Sequence, residues 1–177
     1  EERPVPGGGL EPELRSPTQP FSRYHTLRMP DLRERDMWGM SLIDQMICRI
    51  QFRQATYHGI YTPPTTETRW IQCPSDNGGS EWGGVAVGAG RGVIIAKYSD
   101  LPNYNRLVPR DEATRRGWAP RDQPRGGDMS SGAEGAGDPQ MGVPFAVDVN
   151  AGWRMPSTGL LCKQPPYGGI RAIDLRT

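Results

Sequence analysis

A glycine-rich segment at residues 76–84 has residue types that suit a site for a flat ligand. Its sequence is DNGGSEWGG, with glycine at 78, 79, 83 and 84. Glycine lets a backbone approach a planar ring, the amide of Asn77 can donate and accept hydrogen bonds, and Trp82 offers an aromatic face or an indole N–H. The alternative is a glycine-rich entry to a strand with Trp82 in the core, and the residues alone favour that alternative.

Other residues that could act in catalysis or bind a metal do not occur in a recognisable catalytic or metal-binding motif. Asp44 and Asp76 are the carboxylates that one would test as a catalytic base, but Asp44 is typical of a first helical turn, and neither is assigned that role. The cysteines Cys48, Cys73 and Cys162 form no CxxC pair, which argues against a zinc site and against a dense disulfide framework. One disulfide is still possible, and no metal ligand is assigned.

Composition favours a turn-rich β protein over a compact helical domain. Glycine (23) and proline (18) are about twice as frequent as usual. The hydrophobic share is 35%, but five tryptophans and several strand-like runs argue against general disorder. The 21 basic and 20 acidic residues are interspersed, which excludes a nucleic-acid partner. No run of 18 apolar residues is present, so the sequence predicts no membrane span within this chain.

The elements that must position these residues begin with one helix, predicted from Ser41 to about Arg53. Ser41 is a candidate N-cap, and Asp44 lies in the first turn, where a negative charge complements the helix dipole. Apolar residues recur at helical spacing, so this face is expected to lie against an apolar surface. These residues are Leu42, Ile43, Met46, Ile47 and Ile50.

Short apolar runs and period-two patterns predict strands at residues 59–62, 69–73, 82–87, 93–97, 143–149 and 168–175. Glycines within residues 88–92 predict a tight reversal, and therefore a β-hairpin between the third and fourth of these strands. The final strand is expected to stop without a partner.

Two segments are predicted to lack regular structure. Residues 1–35 are rich in proline and glycine, which favours an extended connector. Residues 103–140 carry glycines and charges with few apolar side chains, which favours a long, flexible surface insertion. The ordered domain is thus predicted to occupy residues 36–177.

Three stretches together resemble one family, the membrane-bound glucose dehydrogenases that depend on pyrroloquinoline quinone (PQQ), with their quinate, shikimate and polyol or inositol relatives. They are DMWG at 36–39 followed by DQMICRI at 44–50, DNGGSEWGG at 76–84, and CKQPPYGG at 162–169. YTPP at 61–64 and LVPR at 107–110 fit the same pattern. The similarity runs from about residue 16 to residue 177.

The resemblance implies an all-β fold, part of an eight-bladed quinoprotein propeller with one short helix and long loops. About two to three blades are expected here, and the chain is expected to end in mid-motif at Thr177, before the glycine and tryptophan that fasten one blade to the next. The family implies a dehydrogenase that oxidises a sugar, glucose first, or a cyclic polyol, and that reduces ubiquinone. Its place is the periplasmic face of the bacterial inner membrane, through an anchor that this chain lacks.

The resemblance also implies which residues bind the cofactor. Asn77, Trp82, Gly83 and Lys163 are expected to contact PQQ, whereas the catalytic base and most ligands of a divalent cation, Ca²⁺ or Mg²⁺, are expected outside this chain. The alternative for Lys163 is a solvated lysine at a turn. Lys97 stands where the family usually has asparagine, and Gly88-Ala89 replaces its usual Asp-Pro.

Three questions stay open at the level of the sequence. Cys48 and Cys162 both lie in family-like segments, so they form either a periplasmic disulfide or two separately buried thiols. The intact protein is expected to be an enzyme and this chain alone to be inactive. The alternatives are a non-catalytic propeller that acts as a binding or scaffold module, and a degenerate remnant.

Overall fold

The computed structural model describes residues 1–9, 11, 13, 15–24, 26–76, 79–80, 83–118 and 142–176. These residues form three antiparallel sheets, with strand orders β1-β2, β3-β6-β7 and β4-β5-β8. The strands are β1 (Glu2–Pro4), β2 (Thr18–Pro20), β3 (Trp70–Gln72), β4 (Val85–Gly88), β5 (Val93–Ser99), β6 (Asn103–Pro109), β7 (Phe145–Asp148) and β8 (Gly168–Asp174). The helices are α1 (Leu42–Gln54) and α2 (Arg110–Arg115).

The β4-β5-β8 sheet contains the predicted hairpin. β4 and β5 pair from Val85↔Ala96 to Gly88↔Val93, and a 3-10 turn joins them. The turn ends at Gly92 with a φ of 64°, a left-handed conformation that glycine adopts without strain. β8 pairs with β5 along seven residues, so the expectation that the last strand lacks a partner is wrong.

The β3-β6-β7 sheet corrects the prediction that an unstructured insertion begins at residue 103. β6 pairs with β3 on one side and with β7 on the other, and α2 follows β6 directly. A small core lies between α2 and this sheet; its members are Val108, Ala113, Trp118 and Ala146. Residues 119–140 of the predicted insertion lie outside the described residues.

Helix α1 begins where it was predicted to begin. The Ser41 hydroxyl accepts from the Asp44 N–H at 3.2 Å, and the Asp44 carboxylate accepts from the Ser41 N–H at 3.1 Å, which is a capping box. The helix packs inward through Cys48, Ile47 and Phe52. The apolar face of this helix was expected to lie against an apolar surface. That expectation is wrong for four of its five residues, which are exposed among the described residues: Leu42, Ile43, Met46 and Ile50.

The main core surrounds a disulfide and a stack of aromatic rings. Cys48 and Cys162 are bonded, so the alternative of two separate thiols is wrong. Trp153 stacks on Tyr104 with ring centroids 4.9 Å apart, and its indole N–H donates to the Gln51 Oε1 at 2.8 Å. The disulfide and this stack tie α1 to the segment between β7 and β8.

Two further predictions differ from the structure. Residues 59–62 form a turn instead of a strand, with Thr62 N–H donating to the Gly59 carbonyl at 3.3 Å. The predicted connector at residues 1–35 carries the β1-β2 ladder. Antiparallel sheets without a closed barrel in the described part of the chain agree with a partial β-propeller. Neither described helix is both long and apolar enough to cross a lipid bilayer.

Candidate functional site

A cleft of about 760 Å³ opens where the end of β5 meets the start of β8. One wall is the glycine-rich loop, and the floor comes from the two strands. The residues that line it are Gly79, Gly83, Gly84, Lys97, Tyr98, Ser99, Tyr167, Gly168, Gly169 and Ile170. Five of these ten are glycine, so backbone forms much of the surface.

The absence of side chains at Gly168 and Gly169 lets β8 lie close to β5. A Cβ at Gly168 would come 2.4 Å from the Tyr98 carbonyl oxygen, and one at Gly169 would come 2.9 Å from the Tyr98 hydroxyl. The Gly168 clash is with backbone, so a side chain there would force the two strands apart. At Gly169 the clash is with the end of the Tyr98 side chain, which would have to move.

The loop wall is fastened to the floor by backbone hydrogen bonds. Gly79 and Ser99 form an antiparallel bridge in which each N–H donates to the carbonyl of the other at 2.9 Å. The neighbouring Asp76 carboxylate accepts a hydrogen bond from the Asn103 amide. The glycine-rich segment is thus held at both the end of β5 and the start of β6.

A buried ion pair lies directly behind the cleft. The Lys163 Nζ is 3.1 Å from an Asp100 carboxylate oxygen, and the two side chains are only 8% and 6% exposed. The same ammonium donates to the Pro166 carbonyl at 2.7 Å and to the Gln164 carbonyl at 3.3 Å. Because the Asp100 N–H also donates to the Tyr167 carbonyl at 2.9 Å, this pair fixes the connection after β5 against the approach to β8.

The family-like segments meet at this point. Met37 and Lys163 form an isolated antiparallel bridge, with Trp38 N–H donating to the Cys162 carbonyl at 2.6 Å and Gln164 N–H donating to the Asp36 carbonyl at 3.0 Å. The DMWG and CKQP stretches therefore lie side by side. A Cβ at Gly39 would come 2.3 Å from the Gln45 backbone nitrogen, so a glycine there is needed for α1 to begin.

The structure places two of the four predicted cofactor residues. Gly83 lines the cleft, as its predicted role requires. Lys163 lies behind the cleft, and the alternative of a solvated lysine is wrong because its ammonium is buried and paired. Asn77 and Trp82 lie outside the described residues. Contact of any of the four with PQQ stays a prediction.

Sequence reasoning missed several residues of the site. Asp100 and Ser99 belong to no recognisable motif, and Tyr167, although it lies in the CKQPPYGG stretch, was given no role. Only the alternation along β5 indicates which of its side chains share a face. Lys97 was noted solely as a departure from the family. Lys97 lines the cleft, so this difference from the family lies in the candidate site.

The free thiol next to the ion pair is buried and unreactive. Burial raises the pKa of Cys73 to about 12, and the negative charge of Asp100 adds to the effect. No group of three or more histidine, cysteine, aspartate or glutamate residues could hold a metal ion in the described part of the chain. Among its described residues, the cleft combines a glycine-rich backbone surface with one lysine.

The sheets, the glycine-lined cleft and the three converging segments define a part of a quinoprotein β-propeller. A family model confirms this class. The match is to the PQQ family, described as "Glucose/ethanol/alcohol dehydrogenase, beta-propeller domain", and covers residues 1–177. The chain belongs to this family.

Curated relatives match nearly the whole chain. The glycerol dehydrogenase large subunit of Gluconobacter oxydans is 47% identical, over 99% of this chain and 24% of its own length. The quinoprotein glucose dehydrogenase of Escherichia coli is 40% identical, and the quinate/shikimate dehydrogenase (quinone) of Acinetobacter baylyi is 32% identical, each over 99% of this chain and 21% of its own length. The chain therefore spans about a quarter of such enzymes. No solved structure matches it significantly.

Proposed function

We propose that this chain forms part of the cofactor site of a PQQ-dependent dehydrogenase, called here the parent enzyme. The parent enzyme oxidises a sugar, such as glucose, or a polyol, and passes the electrons to ubiquinone. Family membership over the whole chain supports the cofactor, and the names of the relatives support the class of substrate. The observation that carries the proposal is the glycine-lined cleft with a cation in its lining.

The residues of the cleft suit PQQ, which is flat and carries three carboxylates. Backbone at the five glycines leaves a surface that a planar ring can approach closely. The Lys97 ammonium supplies a charge opposite to that of the ligand. When bound, PQQ accepts the two electrons that leave the substrate C–H bond.

The role of this chain in that reaction is to shape and orient. The Lys163–Asp100 pair and the Gly79–Ser99 bridge fix the floor and the loop wall of the cleft relative to each other. Among the described residues that line the cleft, none is a carboxylate. As the family resemblance implies, we assign the base that takes the substrate hydroxyl proton, and most ligands of a Ca²⁺ or Mg²⁺ ion, to other parts of the parent enzyme.

The periplasmic face of the inner membrane is the proposed location. Disulfides persist in oxidising compartments such as the bacterial periplasm, and Cys48–Cys162 is one in the main core. This location also brings a membrane quinone within reach. The anchor is assigned to a part of the parent enzyme other than this chain.

Reconstitution of the purified parent enzyme tests the proposal. The enzyme is stripped of PQQ and cations with EDTA and then assayed with glucose, glycerol, quinate and inositol, using a dye or a short-chain ubiquinone as acceptor. We expect activity on at least one substrate only after PQQ and Ca²⁺ or Mg²⁺ are restored. A parent enzyme that binds no PQQ would instead be a non-catalytic propeller, and the proposal would be wrong.

A further inference from the structure

The cleft contains a lysine, Lys97, that forms no ion pair or hydrogen bond with any residue that the structure describes. We propose that Lys97 binds a carboxylate there, which selects anionic ligands for this site. The inference rests on the proposed function, since it assumes that the cleft is the binding site of the parent enzyme. A lysine that only stabilised the fold, or that only contacted water, would not affect ligand binding.

The register of the sheet directs Lys97 into the cleft. In the β5-β8 ladder, Lys97 is opposite Ile170 and Ser99 is opposite Gly168. Alternate residues of a strand point to the same face, so these two cross-strand pairs lie on one face of the sheet. All four residues line the cleft, and the intervening pair of Tyr98 and Gly169 borders it as well. The side chain of Lys97 therefore projects from the floor.

The neighbouring side chain projects the other way. The Tyr98 hydroxyl contacts the Met29 sulfur at 3.9 Å, and the Arg171 guanidinium lies 5.2 Å from the centre of the Tyr98 ring. Arg171 also donates to the Thr26 carbonyl at 2.5 Å. This arginine is thus engaged on the opposite face of the sheet and does not compete for a ligand in the cleft.

Lys97 is the one lysine or arginine among the described residues that line the cleft. Its side chain is exposed, and it has no ion pair or hydrogen bond with any described residue. Lys163 differs because its ammonium is bound to Asp100 and to two carbonyls. No described residue that lines the cleft is a carboxylate, so among these residues Lys97 is the charge that an entering anion meets.

A carboxylate is the anion that the proposed chemistry brings to this place. The carboxylate has two sources, PQQ itself and a substrate of the quinate type. The Lys97 ammonium is a point charge on a flexible side chain, so it can pair with a carboxylate from either source. A single exposed cation acts at short range and is screened by salt. The expected effect of removing it is therefore about a tenfold loss of affinity, smaller at high salt.

The first experiment measures PQQ binding to the metal-loaded apo form of the parent enzyme by equilibrium dialysis, at 50 and 500 mM salt. Lys97→Met is expected to raise Kd about tenfold at low salt and less at high salt, whereas Lys97→Arg keeps Kd within about threefold. Arg91→Gln is the matched control, because Arg91 is an exposed cation in the β4-β5 turn, outside the cleft lining. Circular dichroism melts establish that each variant is folded.

The second experiment identifies the source of the carboxylate. Binding of quinate and of uncharged inositol is measured by calorimetry on the same variants. If Lys97→Met raises the Kd of PQQ, the carboxylate belongs to the cofactor. If it raises the Kd of quinate and leaves that of inositol unchanged, the carboxylate belongs to the substrate. If Lys97→Met changes neither, or if the wild-type protein binds neither anion, the inference is overturned. If the wild-type protein binds quinate but does not bind PQQ, the proposed function is refuted instead.

Discussion

The buried ion pair of Lys163 and Asp100 holds together the two segments next to the cleft, the connection after β5 and the segment before β8. Two charges leave water at a considerable cost, which their attraction and the two carbonyl acceptors of Lys163 offset. Such a pair adds little net stability over apolar residues of the same size. Removing one partner, however, leaves the other buried without compensation.

Lys163→Met is therefore expected to lower the free energy of unfolding of the parent enzyme by about 3–5 kcal/mol. The double variant with Asp100→Asn should lose less than Lys163→Met alone, because no buried carboxylate then lacks a partner. Urea unfolding measures both. A loss below about 1 kcal/mol for Lys163→Met would show that Asp100 is solvated in the parent enzyme.

The raised pKa of Cys73 predicts a dependence of stability on pH at the alkaline end. The thiol stays protonated in the folded state up to about pH 12, whereas in the unfolded chain it ionises near its ordinary value of 9. Above pH 9 the unfolded state therefore holds fewer protons, and stability falls as pH rises from 9 towards 12. Burial raises the pKa of Tyr57 as well, which acts in the same direction.

The measurement is urea unfolding of the parent enzyme between pH 8 and 10.5, compared with Cys73→Ala. We expect a shallower decline in the variant, although its stability at pH 8 is lower because of the cavity. Iodoacetamide should fail to label native Cys73 at pH 8 and should label it in urea. Equal pH slopes in the two proteins would contradict the assignment.

At the scale of elements, the start of α1 depends on one side chain. Ser41→Ala removes the acceptor for the Asp44 N–H and is expected to cost about 1 kcal/mol of stability. Ser41→Asn, which can still cap, should cost clearly less. Thermal unfolding by calorimetry compares the two variants, and equal melting temperatures would mean that the cap contributes nothing.

The elements show what sequence patterns could and could not predict. α1 and the β4-β5 hairpin were predictable because local signals, a cap with helical spacing and a glycine turn, determine them. β6 was missed because its core positions include polar residues, which period-two reasoning treats as loop. Asn103 and Asn105 are 1% and 3% exposed, and the side-chain N–H groups of both donate to distant partners, Asp76 and Gln72.

The candidate site divides in the same way. The position of Gly83 at the cleft was predictable because it lies in a glycine-rich segment, and the segments that meet there were recognised by resemblance. The partner of Lys163 was not, since Asp100 lies 63 positions away and no local rule joins them. The face of β5 that lines the cleft became clear only from its register with β8.

At the scale of the whole molecule, the β4-β5-β8 sheet leaves apolar residues exposed on both faces. Val87 is 60% exposed on one face and Ile170 is 77% exposed on the other. In a propeller each blade is packed between two neighbours, so the face with Val87 belongs against another blade of the parent enzyme, whereas Ile170 on the other face lines the cleft. Alone, the 177-residue chain exposes the face with Val87 to water.

The isolated chain is therefore expected to bind the dye ANS and to self-associate at tens of micromolar, whereas the parent enzyme does neither to a comparable extent. Sedimentation velocity and dye fluorescence make the comparison. The isolated chain is also expected to oxidise no glucose with a dye acceptor. A monomeric isolated chain that oxidised glucose would show that it holds a complete site.

The Cys48–Cys162 disulfide makes a covalent ring of everything between those two positions. One protease cut anywhere inside the ring leaves the pieces joined, and they migrate as a single species until a reductant separates them. A nick in this region is therefore invisible on a non-reducing gel. Purity of this protein is better judged after reduction, because an intact band without reductant does not establish an intact chain.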